Sequence, residues 1–294
     1  MAYIASSASN FQDLIDKVKA NLVANGWLNL LDSVVSSSRE LYFKNSVTDV
    51  IIGFKEVSSS PDYFNLLLNS CSSYSGSFDW FNQIGSIPHF PNNTASSGNA
   101  MPVLACLNTP MNYWAFIDND RLILVVKCNT SYNSCYLGKF EQYGSPNQYP
   151  KPIFVGGHAK NSTMLNSYTG FENECFIYEN AEKKNNCGAR LRKYDSTWLS
   201  IGNSSLQLDT GFGAIYPTSS LGIENNYTTD GTYDVEPLIL YTDTSAAGEL
   251  KNIFWLAGRG LSAESEITID SVNYIIFPNI FRTTNKDFYC IKKS

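Results

Sequence analysis

Residues 121–126, RLILVV, constrain this chain more than any other stretch, because every position after the arginine is aliphatic. A strand with one face in water alternates apolar and polar residues, since successive side chains point to opposite faces. An unbroken aliphatic run therefore predicts a central strand covered on both sides. Upstream, residues 113–117 form a second run rich in aromatic and β-branched side chains. Asp118, Asn119 and Asp120 lie between the two runs and supply turn residues, so the pair reads as a hairpin. The same three residues resemble the start of a calcium loop, but no further oxygen ligands follow at the required positions, and the hairpin turn is the better reading. A bare hairpin is marginal in water, so the rest of the chain must supply its cover.

Residues 10–25 predict one helix. Phe11, Leu14, Ile15, Val18 and Leu22 recur at helical spacing and make a single apolar stripe. Ser9 or Asn10 can cap its start, and Asn25-Gly26 is a natural left-handed stop. The stripe is expected to lie on the chain's own sheet. Residues 27–31, 40–44, 50–54 and 63–68 read as short strands divided by Ser-rich turns at 36–38 and 58–60, which predicts an antiparallel meander. Residues 70–100 are rich in Ser, Asn, Gly and Pro yet carry Phe78, Trp80, Phe81, Ile84, Ile87 and Phe90. Such a loop is either folded onto its own domain or reserved for a neighbour.

Residues 135–140 form another strand candidate, followed by Gly144, Pro146, Pro150 and Pro152, which interrupt regular structure. That connection is expected to border a first domain, residues 1–158, made of the helix and an antiparallel β unit. Residues 159–294 are then a second β-rich domain or lobe. It opens with a polar surface excursion, 159–186, anchored by Phe171, Phe176, Ile177 and Tyr178. Further strands are expected at 189–191, 198–201, 206–208, 238–241 and 253–257, and a hairpin at 266–270 and 274–277 turning near Ser271. The expected class is mainly β, a β-rich α+β fold of antiparallel, sandwich-like sheets with one N-terminal amphipathic helix packed on the first sheet.

Charged residues make up 16% of the chain, below the roughly 25% usual in soluble domains, while aromatics reach 14%. A surface poor in Lys and Glu and rich in aromatics suits a protein partly covered by other subunits. A β-rich fold with a coding bias toward Asn, Tyr, Ser and Ile would give the same composition. The net charge is -6 and the basic residues are scattered, which disfavours nucleic-acid binding. The opening MAYIASSASN has neither a basic n-region nor an apolar h-region, and no apolar run has the 18 or more residues of a membrane span. Neither secretion by a signal peptide nor membrane insertion is expected. Seven cysteines, Cys71, Cys106, Cys128, Cys135, Cys175, Cys187 and Cys290, are an odd number in a chain too large to need staples, and buried small side chains are the expected role. Cys128 and Cys135 flank one loop and could approach each other. Five N-x-S/T triplets, at Asn92, Asn129, Asn161, Asn203 and Asn226, are treated as composition.

No catalytic set emerges. The two histidines, His89 and His158, are far apart in sequence, which excludes HExxH and His-rich zinc sites. There is no CxxC pair and no GxSxG elbow, and Gly211-Phe212-Gly213 lacks the rest of a phosphate loop. Glu172 with Glu174, or Glu264 with Glu266, could serve glycoside hydrolysis only if a fold set them at a defined separation. Cys128, His158 and Asp118 would need the same help to act as a nucleophilic set. The expectation is no enzyme, no metal and no cofactor.

Three blocks carry a resemblance. FQDLIDKVKANLVANGW stands near the N-terminus. The central block is NYWAFIDNDRLILVVKCNTSYNSCYLGKFEQYGSPNQYPKPIFVGGH. GELKNIFWLAG and AESEITIDSVNYIIFPNIFRTTNKDFYCI close the chain. Together they cover about half of it, and in this order they resemble a family of virion structural proteins of tailed bacteriophages and their prophage relics; residues 162–186 and the cysteine-bearing segments have no counterpart. The resemblance implies a non-enzymatic part present in many copies, in the tail toward its baseplate end, with the neck, collar or head–tail connection as alternatives. It implies partners in the chain itself, as a symmetric ring or multimer, and in neighbouring tail, baseplate or neck proteins. The implied location is the virion, assembled in the host cytoplasm. It transfers no set of functional residues. From the residues, Phe78, Trp80, Phe81, Tyr149, Pro150, Pro152 and Arg282 are the candidate interface positions. A receptor- or glycan-binding tail protein is a rival reading and calls for an exposed Trp such as Trp80. A depolymerase is another, and calls for two acids facing across a groove.

Overall fold

The computed structural model describes residues 1–59, 63–88, 101–145, 149–158, 176, 188–201, 214–216, 235–242, 245–256, 258, 260–278 and 288–293. Strand β1 (Ala2–Ala8) comes first, followed by α1 (Phe11–Ala24). A meander comes next: β2 (Trp27–Val35), β3 (Ser38–Asn45), β4 (Ile51–Ser59) and β5 (Tyr63–Cys71), with β6 (Val103–Leu104) added later. The predicted hairpin is β7 (Met111–Ile117) and β8 (Arg121–Cys128), leading into β9 (Ser131–Lys139), β10 (Glu141–Gln142) and β11 (Ile153–Gly156). Then come β12 (Ala189–Arg192), β13 (Trp198–Ser200), β14 (Ala214–Tyr216), β15 (Val235–Tyr241), β16 (Ala246–Leu256), β17 (Glu266–Ile269), β18 (Val272–Pro278) and β19 (Phe288–Lys292).

These strands form three antiparallel sheets, so the chain is mainly β, with a single helix among the described residues, near the N-terminus. The central sheet runs β1-β7-β8-β9-β11-β12-β13. The N-terminal sheet runs β2-β3-β4-β5-β6, and the C-terminal sheet runs β14-β15-β16-β19-β18-β17 with β10 paired to β16. The aliphatic run of β8 explains the layering. Leu122, Leu124 and Val126 enter the core shared with the N-terminal sheet, whereas Ile123 and Val125 enter the core shared with the C-terminal sheet. All five are fully buried, each contributing about 1.5–3 kcal/mol of transfer free energy. The central sheet is thus covered on both faces, as its sequence predicts.

Asn10 caps α1 by accepting the Asp13 N–H at 2.9 Å, and Gly26 follows its end at φ +83°. The buried stripe of Phe11, Leu14, Ile15, Val18 and Leu22 lies on the N-terminal sheet; Leu14, Ile15 and Val18 meet Leu41, Phe43, Phe54 and Leu66 around a gap of only about 10 Å³. The helix also touches the central sheet, where Asn21 Nδ2 donates to the Tyr113 hydroxyl at 3.2 Å.

Residues 72–88 cover the other face of the N-terminal sheet. Trp80 is the plug: its Nε1 donates to the Leu41 carbonyl at 3.3 Å, and its own carbonyl accepts the Tyr42 hydroxyl at 2.8 Å. Trp80 and Ile87 point inward while Phe78 and Ile84 point outward, so the described part of this aromatic loop is folded onto its own chain and still shows two apolar side chains to solvent.

Among the described residues, backbone strand pairing links the sheets at two places. Val103 of β6 forms a bridge with His158, and β10 carries the chain from the central sheet onto β16. The division drawn between residues 158 and 159 runs through the central sheet, because β12 pairs with β11 and β13 with β12. Strand β1 was not foreseen, since its small and polar residues carry no alternation; it is recruited as an edge strand by β7. The expected strand at 206–208 lies outside the described residues, as does the 159–186 excursion apart from Phe176, which is buried with its ring 5.9 Å from that of Phe154.

Candidate functional site

Of the seven positions expected at an interface, the six that are described do not form one surface. Phe78 is exposed. Trp80 and Tyr149 are instead core residues of the chain itself, because a large aromatic ring gains most by complete burial; Tyr149 stacks edge-on against Phe140 at 5.6 Å. Phe81 is half-buried, edge-on to Trp80 at 5.1 Å with the Lys55 ammonium 4.4 Å from its ring centre. Pro150 is exposed and Pro152 half-buried, its carbonyl accepting the Phe140 N–H at 3.0 Å. Arg282 lies outside the described residues.

Sequence reasoning missed the surface that stands out, the free edge of the N-terminal sheet. Strand β6 at one side of that sheet is bridged to His158, and β2 at the other side has no neighbour among the described strands. Along it Leu28, Val34 and Val35 are 55%, 70% and 49% exposed. Val47 is exposed in the turn after β3, where the Ser46 hydroxyl reaches the Gly26 carbonyl, and Val23 is exposed on the last turn of α1. Five of the nine exposed large hydrophobic side chains among the described residues therefore lie on or beside one strand. The signal was present as the apolar WLNLLDSVV, but it reads equally well as a buried strand until the neighbours are known.

The electrostatics of this edge are closed. Arg39 donates to Asp32 through Nε at 2.8 Å and Nη2 at 2.9 Å, and to Asp16 on α1 through Nη1 at 2.7 Å, while Lys19 reaches Asp32 at 2.5 Å. The Arg39 guanidinium holds the Asp32 carboxyl well below the usual carboxylate range; burial opposes the shift and Lys19 adds to it. A bulge interrupts the β2–β3 ladder, with Asn29 opposite Phe43 and Leu31 opposite Tyr42, so Leu30 is the extra residue. Beyond it residues 31–35 pair regularly with β3 up to a turn in which Ser36 and Ser37 both have positive φ, the arrangement of a tight type I′ hairpin.

A second, polar feature is a cleft of about 530 Å³ between the end of β1 and the start of α1, lined by Ser7, Asp13, Lys17, Asn112 and Lys127 among others. Its charges are paired internally. Lys17 donates to the Ser7 carbonyl at 2.8 Å and to Asp13 at 2.9 Å. Asp13 is held low by the Ser9 backbone N–H first and Lys17 second. Lys127 donates to Glu264 at 2.6 Å.

Among the described residues, the structure does not bring together the reactive groupings that the sequence left dependent on a fold. Asp118 and Cys128 stand at opposite ends of the eight-residue β8, roughly 25 Å of strand apart. Glu264 is bound to Lys127 and Tyr132, and Glu266 to Lys293 at 2.7 Å, so neither faces the other as a free acid. Glu172 and Glu174 lie outside the described residues. Cys71, Cys106, Cys128, Cys135 and Cys290 are all buried thiols outside any disulfide. Cys128 and Cys135 do not join: Cys135 faces Leu124 across the ladder, and Cys128 instead shares a hydrogen bond with Cys106. Among the described residues no group of three or more His, Cys, Asp or Glu is placed to hold a metal ion, and no helix is long and apolar enough to cross a membrane. No protein-family model and no curated protein matches this chain, so the functional reading rests on its residues and its fold.

Proposed function

We propose that this chain is a non-enzymatic structural component of a tailed-bacteriophage particle, built in multiple copies into the tail toward its baseplate end. The observation that carries the proposal is the open β2 edge with its collar of exposed apolar side chains, on a chain whose central sheet is buried on both faces. A three-layer scaffold whose β2 edge meets no further strand among the described residues suits assembly, because edge strands recruit partners through backbone hydrogen bonds and need no chemistry. The composition, poor in charge and rich in aromatics, and the three resembling sequence blocks point the same way. The glycan-binding rival loses its main support: of the five tryptophans none is exposed, and only Trp198 is even half-buried.

Purified particles of the phage or induced prophage that encodes the chain provide the test. Mass spectrometry is expected to find the chain at a fixed copy number, electron microscopy to place it in the tail, and deletion of the gene to abolish tail assembly. Particles that are complete and infectious without it would overturn the proposal. Density in the neck would move the assignment there.

A further inference from the structure

We propose that the outer half of β2, residues 31–35, pairs antiparallel with the same segment of a second copy about a two-fold axis at Ser33. The N-terminal sheets of the two copies then join into one continuous sheet. The hairpin geometry selects this register. Val35 and Ser38 flank the two-residue turn and form its closing pair, so Leu31, Ser33 and Val35 turn their backbone groups toward β3. Asp32 and Val34 turn theirs outward, with no strand among the described residues to receive them. A two-fold axis at Ser33 sets Asp32 of one copy opposite Val34 of the other, twice, which satisfies all four outward N–H and C=O pairs at once.

The side chains fit the same register. Val34 and Val35, 70% and 49% exposed, come to lie opposite Asp32 and Leu31 and lose solvent on opposite faces of the joined sheet. The only ionisable group on β2 is Asp32, and its charge is already met by Arg39 and Lys19, so two copies approach without an unpaired like charge although each carries a net charge of -6. The bulge at Leu30 bounds the paired stretch at one end and the Ser36-Ser37 turn bounds it at the other. Unlike many edge strands, this half carries no proline and no lysine to repel a neighbour.

The pairing deepens the assembly reading and rests on it only for its biological setting, so it is tested on the purified full chain. Light scattering after size exclusion at high micromolar concentration is expected to give twice 32.7 kDa. Val34→Pro removes an outward donor without touching the β2–β3 ladder, and is expected to raise the dissociation constant by about tenfold or more while circular dichroism stays that of the wild type. Val34→Lys is the second variant and decides the matter if the proline disturbs folding, since two lysines at the seam repel. A wild-type chain that remains monomeric, or a dimer unmoved by Val34→Lys, overturns the pairing. A monomeric chain that is nevertheless present in particles leaves the assembly reading intact, and a β2 dimer absent from particles does the reverse.

Discussion

The Lys127 ammonium donates to Glu264 Oε1 at 2.6 Å and so fastens the loop before β17 to the end of β8. The Tyr132 hydroxyl donates to the same oxygen at 2.5 Å, and the Lys127 ammonium stands 5.0 Å from the Tyr132 ring centre. Glu264 adopts a positive φ of 66° to reach this position. The contact joins two layers that are also held by apolar packing, by the β10–β16 pairing and by the Lys293 ammonium 4.6 Å from the Tyr3 ring centre.

The clamp makes stability depend on pH in a defined direction. Burial alone pushes the Glu264 carboxyl up, but the hydrogen bonds from Lys127 and Tyr132 and the lysine charge together hold it below its usual range. A depressed folded-state pKa contributes stability that is complete above the unfolded value, near 4.3, and is lost as pH falls through the folded value. Lys127 is raised, chiefly by Glu264, so its share is complete below about 10.4 and is lost as pH rises through its folded value. Glu264→Gln is expected to cost about 1 kcal/mol or less at pH 7, the scale for a partly exposed pair, with the difference vanishing toward pH 3 in thermal melts.

Trp80 acts as a core plug and not as a contact residue. Trp80→Ala is expected to destabilise the chain by about 3–5 kcal/mol in denaturant unfolding, from the cavity together with the lost contacts to Leu41 and Tyr42. Phe78→Ser on the exposed side of the same segment is expected to stay within about 0.5 kcal/mol.

Gly138 has φ +141° opposite Arg121 in the β8–β9 ladder, and a Cβ there would collide with the Asp120 carbonyl and the Arg121 backbone. Gly138→Ala is expected to cost well over about 1 kcal/mol, because both the backbone conformation and the space are closed to a side chain. Unfolding midpoints of the two proteins measure it.

Arg39 reads Asp32 with two parallel hydrogen bonds and Asp16 with a third, tying the edge strand to the helix. A lysine ammonium cannot reproduce that fork. Arg39→Lys is expected to lose about 1 kcal/mol in urea unfolding, whereas Lys44→Ala, whose partner Asp49 is exposed, is expected to lose less.

Burial pushes the Cys71 thiol up to about 12 and the Cys290 and Cys106 thiols upward as well, while Cys128, hydrogen-bonded to Cys106, is held down but fully buried. A thiol reagent at pH 8 is expected to spare these four and Cys135 in the native chain and to label all seven cysteines once the chain is unfolded. Rapid native labelling of any of the five would contradict their placement.

Much of the architecture was legible because it depends on local periodicity. The stripe from Phe11 to Leu22 reads as one face of a helix, with Ser9 or Asn10 at its start and Asn25-Gly26 at its end, and the structure selects Asn10 as the cap. The turn at Asp270 and Ser271, both at positive φ, lies where the run from Glu266 to Phe277 changes direction. The placement of aromatic side chains was not legible. Trp80 and Phe78 sit in the same polar-looking loop two residues apart, and which of them meets Tyr42 depends on a sheet face built by residues far away in sequence.

Chain order and pattern alone determined that this protein is built of antiparallel strands, that β8 is interior and that one helix lies near the N-terminus, because alternation and helical spacing are properties of neighbouring residues. Tertiary structure alone decided which strands became edges and which aromatics became core, and so exposed β2 as the surface to test. Those outcomes depend on pairing partners separated by tens of residues, such as Val103 with His158 or Glu141 with Glu249, and no local pattern encodes them.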